Sequence, residues 1–330
     1  MKNVRWGMIG TGSVTEVKSG PGFYKSENSE LVGVYNRSID KANDWASRHG
    51  IKKVYSSIKE MLADDIDAVY IATPPNVHKK YAIKCIESGK IPYIEKPMAM
   101  DYNECLDILE KSKEYNIPVY VAFYRRGMEK YLKIKELLND GIIGKLRFVD
   151  VRQIMKPEAS DYEENQPWRV KSKITGGGKF IDMGVHVLDI LDFFFGNIVE
   201  VSGIAKNLEG LYDVEDTVSA SFTFENGVVG NGMWCYVANH EEEYVKIVGE
   251  KGYMLFEGLG YGQVTIVKDD KTEILEFISP QHVAQPYIQK VVNEIIGIEE
   301  STASIISAAN VTRVTDEILK NYKKIIIKEV

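Results

Sequence analysis

Between residues 4 and 123 the chain alternates short apolar runs with amphipathic stretches. VRWGMIG, LVGVYN, DAVYIAT, IPYIEK and PVYVAF are spaced by segments such as NVHKKYAIKCIESG. Strands joined through helical crossovers assemble as a parallel sheet with right-handed connections and helices on its faces. This is the α/β, doubly wound pattern. From Lys145 onward the period changes to longer alternating strands: KLRFVDVRQI, DTVSASFTFENG, VVGNGMWCYV, EYVKIVG, GYMLFE and QVTIVK. Val218, Ala220, Phe222 and Phe224 point one way, Ser219, Ser221 and Thr223 the other, and Asn226-Gly227 supplies a hairpin turn. An α+β second domain with a large open, mostly antiparallel sheet follows, one face wet or covered by a partner. We place the first domain at residues 1–123 and the second at 124–330. YRRGMEKYLKIKELLNDGIIG carries a bridging helix, and ASIISAANVTRVTDEILKNYK predicts a C-terminal helix that can pack back on the first domain.

The 330 residues, 44% of them hydrophobic, suffice for two ordinary cores. A net charge of -7, from 41 basic and 48 acidic residues, argues against nucleic acid as the main partner. Cys85, Cys105 and Cys235 form no CxxC pair, so neither a disulfide framework nor a zinc ribbon is indicated. MKNVRWGMIGTG passes straight into a strand without an apolar signal core, and no apolar run reaches spanning length. The expected location is the cytoplasm, with reduced thiols and no membrane partner.

The first strand runs into GMIGTGSVTEVKSG. Gly10 permits a tight turn there. Gly12 lets backbone N–H groups, with Ser13 and Val14 opening the next helix, reach a pyrophosphate. The third glycine position of a dinucleotide-binding turn holds Thr15. At the end of the second strand, where an NAD site wants a carboxylate for the ribose hydroxyl, the chain has Asn36, Arg37 and Ser38. A guanidinium and neutral donors suit a 2'-phosphate, which favours NADP(H) over NAD(H). The alternative leaves Arg37 on the rim in water.

A fourth apolar run ends in Glu95-Lys96-Pro97, and the proline restricts Lys96 to an extended backbone. Lys96 is then either a solvated ammonium in a surface turn or a group aimed by its backbone. In the second half, GGGKFIDMGVHVLDILDFFFG is a glycine-rich loop and a helix apolar almost all round, hence buried. Its polar exceptions Asp182, His186 and Asp189 fall at i, i+4 and i+7, along one line, with Gly184 leaving room between carboxylate and imidazole. A satisfied core histidine and a functional pair are the two readings. A metal site lacks a second histidine and a third ligand nearby, so no metal is expected.

With GTGSVT, IATPPNVH, EKPMA, the PWR of Pro167–Arg169 and the ordered Asp182, Gly184, His186 motif, the chain resembles the glucose-fructose oxidoreductase and inositol dehydrogenase family, Gfo/Idh/MocA, over nearly its whole length. That resemblance implies NAD(P)-linked oxidoreduction of sugars, cyclitols or related polyols, and homodimers or homotetramers through the open sheet. It also implies that Glu95 and Lys96 sit beside the nicotinamide ribose. Thr73, Pro74, Pro75, Asn76 and His78 would line the cofactor channel, the prolines delaying helix until Asn76 caps the next one; His78 is alternatively a structural neighbour of that cap. Trp168 and Arg169 would reach the cofactor. Lys96, Asp182 and His186 would be catalytic. Tyr287 would join Lys96, Asp182 and His186 at the substrate; FYRRGMEKY departs from the family's pattern, and its Tyr124, Arg125 and Arg126 suit a carboxylated or phosphorylated substrate, with Tyr124 and Arg125 placed at the substrate, or pairs with acidic residues across the hinge. Two other functions occur in this family: glycosidases that use the cofactor transiently, and cofactor-binding regulators without turnover.

Overall fold

The apolar runs of the first half pair in parallel as β1 (Val4–Ile9), β2 (Ser29–Tyr35), β3 (Lys53–Val54), β4 (Ala68–Ile71), β5 (Ile91–Ile94) and β6 (Tyr120–Val121), in the order β3-β2-β1-β4-β5-β6. The computed structural model describes residues 3–164, 166–299 and 304–329. All four residues of β4 are buried, as a parallel strand covered on both faces requires. β3 is only two residues long, too short to show a period in the sequence.

The chain divides into two compact units: Met1–Met128 with Pro280–Ala309, and Glu129–Ser279 with Asn310–Val330. These units differ from the expected 1–123 and 124–330 in where residues 124–128 and 280–309 fall. The physical reason lies in the helix Gln285–Ile295, whose Tyr287, Ile288, Val291 and Val292 are buried in one cluster with Trp6, Phe23, Tyr70 and Tyr93. The turn Tyr124–Gly127 packs on that helix so closely that a Cβ on Gly127 would lie 2.7 Å from Tyr287 Cα.

The second unit holds β7 (Leu146–Ile154), β8 (Ile198–Lys206), β9 (Thr217–Phe224), β10 (Val229–Cys235), β11 (Glu242–Gly249), β12 (Gly252–Phe256), β13 (Val264–Lys268) and β14 (Lys271–Leu275). Their order is β14-β13-β12-β11-β7-β10-β9-β8, antiparallel throughout except for the parallel pair β7 and β10. Val218, Ala220, Phe222 and Phe224 are buried on the inner face, against which the helix Val185–Phe195 sets Phe194 on Phe256 and Phe195 on Phe224. The outer face exposes Ser219 and Ser221 together with Phe148, Val229 and Ile204. β8 and β14 escape a sequence reading because most of their residues are exposed and their alternation is weak. The C-terminal helix Ile305–Glu329 starts in the first unit and from Asn310 onward belongs to the second, where Ile318 lies against Gly203 of β8 and Arg313 donates to Ile198 O. Among the described residues no helix is long and apolar enough to cross a membrane.

Candidate active site

In the first unit the glycine turn forms as its residues demand. Gly10 has φ +101°, and a Cβ there would collide with the carbonyl of Ala72. Gly12 faces open space, with nothing within 4 Å of where its Cβ would be. It caps the short helix Ser13–Glu16, in which Ser13 is exposed and Val14 half-buried. Thr15, in the third glycine position, is buried and its hydroxyl donates to Gly12 O at 2.7 Å. The helix stops after one turn, and a second short helix, Gly22–Lys25, follows. Glu16 anchors the first through Arg48 at 2.6 and 2.9 Å and through His49, and the guanidinium beside it holds its carboxyl down at about 2. The turn therefore offers backbone N–H groups in an open cradle, which fits a dinucleotide phosphate.

At the end of β2, Asn36 donates to Thr11 Oγ1 at 2.7 Å and accepts from Ser38 N at 3.0 Å, while Ser38 caps the helix Ile39–His49. These two residues lock the turn to the strand. Arg37 between them is exposed.

The segment after β4 meets the segment after β5 through one imidazole. His78 is fully buried, its ring nitrogens 2.9 Å from Pro97 O and 2.7 Å from Thr73 O, and burial pushes it below the ordinary imidazole value. Expected along the cofactor channel, it is instead buried between the two segments. Asn76 does not cap the next helix; Pro74 opens a 3-10 turn, Pro75–Val77, and Val77 precedes the helix His78–Glu87 without a side-chain cap. Thr73 Oγ1 is buried without a hydrogen-bond partner, an atom that a ribose hydroxyl can satisfy. Lys96 and Glu95 are half-buried, and the Lys96-Pro97 bond is cis.

Glu95 is oriented by residues that no local motif marks. Tyr70 Oη donates to Glu95 Oε1 at 2.6 Å, Ser19 Oγ lies 2.8 Å from Tyr70 Oη, and Lys96 N donates to Glu95 Oε2 at 3.2 Å. Burial and the Glu95 charge both raise Tyr70 well above an ordinary phenol, so it remains the donor. The sequence clue is faint: a hydroxyl inside a wholly buried strand needs a partner.

Tyr287 is wholly buried in the first unit's core, so the expectation that it lines a substrate cleft is corrected. Arg125 and Arg126 are also buried; Arg125 donates to Tyr124 Oη at 3.0 Å and Arg126 to Ser307 Oγ at 2.7 Å.

In the second unit the predicted single helix is two pieces. Phe180–Gly184 is a π-helical turn, and the α-helix proper runs Val185–Phe195. Asp182 lies in the wider turn, so the straight line drawn for it, His186 and Asp189 is bent at its first member. Gly184 leaves room for Phe180, whose ring a Cβ would strike. His186 is 8% and Asp189 1% exposed. Arg169 Nε lies 3.0 Å from Asp182 Oδ2, and its guanidinium sits 4.8 Å from the Trp168 ring. The Trp-Arg pair is thus an arm that holds Asp182. Among the described residues no group of three His, Cys, Asp or Glu could hold a metal.

Residues 4–123 match the oxidoreductase family with an NAD-binding Rossmann fold, and residues 131–255 match the GFO/IDH/MocA C-terminal domain. Oxidoreductase P35 of Formosa agariphila is 38% identical over 317 residues, 95% of this chain and 97% of that protein. The chain belongs to the Gfo/Idh/MocA family. It is an NAD(P)-dependent oxidoreductase. Among solved Gfo/Idh/MocA-like folds, levoglucosan dehydrogenase in complex with NADH and L-sorbose aligns at TM-score 0.85 and 22% identity, covering 98% of both chains. A 3-ketoreductase from Actinomadura kijaniata in complex with TDP-benzene and NADP aligns at TM-score 0.79 and 17% identity, covering 96% of this chain and 97% of that one.

Proposed function

We propose that this Gfo/Idh/MocA oxidoreductase acts on a carbinol or carbonyl carbon of a sugar, cyclitol or related polyol and prefers NADP(H). The observation that carries the reading is the charged group set into an otherwise apolar helix start: Asp182 paired with Arg169, followed one turn on by His186. The family match and the sugar ligands named for fold neighbours support the substrate class.

The turn Gly10–Val14 holds the cofactor phosphates through its backbone N–H groups, Thr73 meets a ribose, and Glu95 with Lys96 borders the nicotinamide end. When bound, the nicotinamide accepts or supplies a hydride. His186 takes the hydroxyl proton of the substrate or returns it to a carbonyl oxygen. Lys96 polarises that oxygen and shares the proton transfer. Asp182, kept in place by Arg169, orients the substrate. Tyr124 and Arg125 take part in binding the substrate. Arg37 supplies the positive charge for a 2'-phosphate where no carboxylate repels it.

The exposed apolar residues of the outer sheet face, Phe148, Val229 and Ile204, support a homodimer or homotetramer formed through that face. The buried Cys85 and Cys105, which form no disulfide, support a cytoplasmic setting.

Steady-state NADPH consumption against a panel of keto-sugars and inosones tests the proposal. Turnover of one member with net loss of NADPH absorbance is the expected result. Substrate cleavage with no net absorbance change would assign a transient-redox glycosidase instead, and cofactor binding without any turnover would assign a regulator.

A further inference from the structure

We infer that Glu215 is a positioning residue of this enzyme: its buried carboxylate clamps the glycine loop Gly176–Gly178 and thereby fixes the turn that carries Asp182. The inference deepens the proposed function and rests on it for the role of Asp182.

The geometry is local and specific. Glu215 is 1% exposed, and its Oε1 accepts from Gly178 N at 2.7 Å. A Cβ on Gly177 would lie 3.1 Å from that oxygen and 2.7 Å from Ile181 Cγ1. On Gly178 it would lie 3.2 Å from Oε1 and collide with the Glu215 carbonyl. Those two glycines are small because Glu215 occupies the space above them. Gly178 O in turn accepts from Ile181 N at 3.1 Å and Asp182 N at 3.4 Å, so a single peptide separates the clamp from the functional turn. The next residue is tied separately: Lys179 Nζ lies 2.5 Å from the fully buried Asp161 carboxylate.

The neighbouring acid does something else. Asp216 accepts from the Leu208 and Glu209 amides and so closes its own loop. The charged and titratable groups that act on Glu215 are Lys323 of the last helix, Asp216, Tyr236 and Tyr212. Among them, Lys323 lies 2.8 Å from Asp316. Burial raises the Glu215 carboxyl to about 7. An apolar side chain of similar size would fill this place at less expense to folding. A carboxyl kept there is better explained by the order it imposes on Gly178 than by stability.

The test is amide hydrogen exchange of the full chain, free of cofactor and substrate, comparing the parent with Glu215→Gln and Glu215→Ala. Loss of the hydrogen bond that Glu215 Oε1 accepts from Gly178 N should speed exchange across residues 176–184 by about tenfold in the alanine variant. Glutamine, which keeps an acceptor oxygen, should restore most of the protection, and strand β9 should exchange at the parental rate in both variants. Equal protection of 176–184 in parent and alanine variant would overturn the clamp. So would a glutamine variant as loose as alanine, or a loosening shared by β9. Where alanine does not fold, the glutamine variant decides: parental protection supports the clamp and tenfold faster exchange overturns it. The role in turnover is read separately, as a fall in kcat for Glu215→Ala with cofactor affinity unchanged. A protein that turns over none of the panel would remove the proposed function while leaving the exchange result standing.

Discussion

Arg169 reaches Asp182 with its Nε 3.0 Å from Oδ2, the arginine 43% and the aspartate 22% exposed at their side chains. A guanidinium already engaged by a carboxylate has less to give a cofactor phosphate. Arg169→Gln should therefore lower kcat by about tenfold or more while changing the dissociation constant of NADPH by less than about threefold. Stopped-flow turnover and cofactor fluorescence titration check the split, and a large loss of cofactor affinity with intact kcat would return Arg169 to the cofactor.

Lys96 follows Glu95, whose carboxylate is held by Tyr70. Lys96→Met keeps the stem and removes the ammonium, so the fold and cofactor binding should persist while single-turnover hydride transfer slows by roughly 10²-fold or more. A parental rate would place Lys96 outside the chemistry.

Tyr70→Phe deletes one oxygen at the centre of the Ser19–Tyr70–Glu95 relay. Losing a buried hydrogen bond to a charged acceptor should destabilise the protein by about 1.5 to 3 kcal/mol. Urea unfolding measures the loss, and kcat should fall with it because one of the bonds that orient Glu95 is gone. A variant as stable as the parent would mean that Glu95 finds another donor.

Arg37 is exposed at the end of β2, beside Asn36 and Ser38, which are engaged in the turn. NADPH should bind about tenfold to a hundredfold more tightly than NADH, and Arg37→Ala should erase most of that preference while leaving NADH affinity nearly unchanged. Titration with both reduced cofactors decides it; equal affinities, or tighter NADH, would reverse the assignment.

Glu215 gives stability a pH dependence of definite sign. Its carboxyl titrates near 7 in the folded protein against an ordinary value of 4.5. Between those values the unfolded chain has released the proton and the folded one retains it, so stability is full below the lower value and falls as pH rises through the upper. The loss amounts to at most about 3.5 kcal/mol, at about 1.4 per unit. Glu215→Gln removes this contribution. Denaturation of parent and variant at pH 5 and pH 8 should show a drop in the parent that the variant lacks.

The sheets were legible where burial imposes a period: β1 and β4 are apolar because both faces are covered, and β9 alternates because one is not. The glycine turn and the Glu95-Lys96-Pro97 corner were legible because few residue types tolerate such backbone. The π-helical turn was not, since one extra residue in a helical turn leaves no mark on a 3.6-residue count. Nor was the burial of His78 and Tyr287, whose polar atoms look alike on paper whether they face a ligand or a carbonyl. Glu215 lies far along the chain from the glycines it touches, and nothing in either segment names the other.

The helix Gln285–Ile295 completes the core begun at β1. During synthesis β1 to β6 are made before every strand of the second unit, yet the helix that seals them is made after all of those strands. Until that helix emerges, Trp6, Phe23, Tyr70 and Tyr93 lack one wall. The order of translation is thus not the order in which the two units close. A fragment ending at Met128 is a half-built body with an apolar side open to water, and it should be captured by chaperones or aggregate rather than fold.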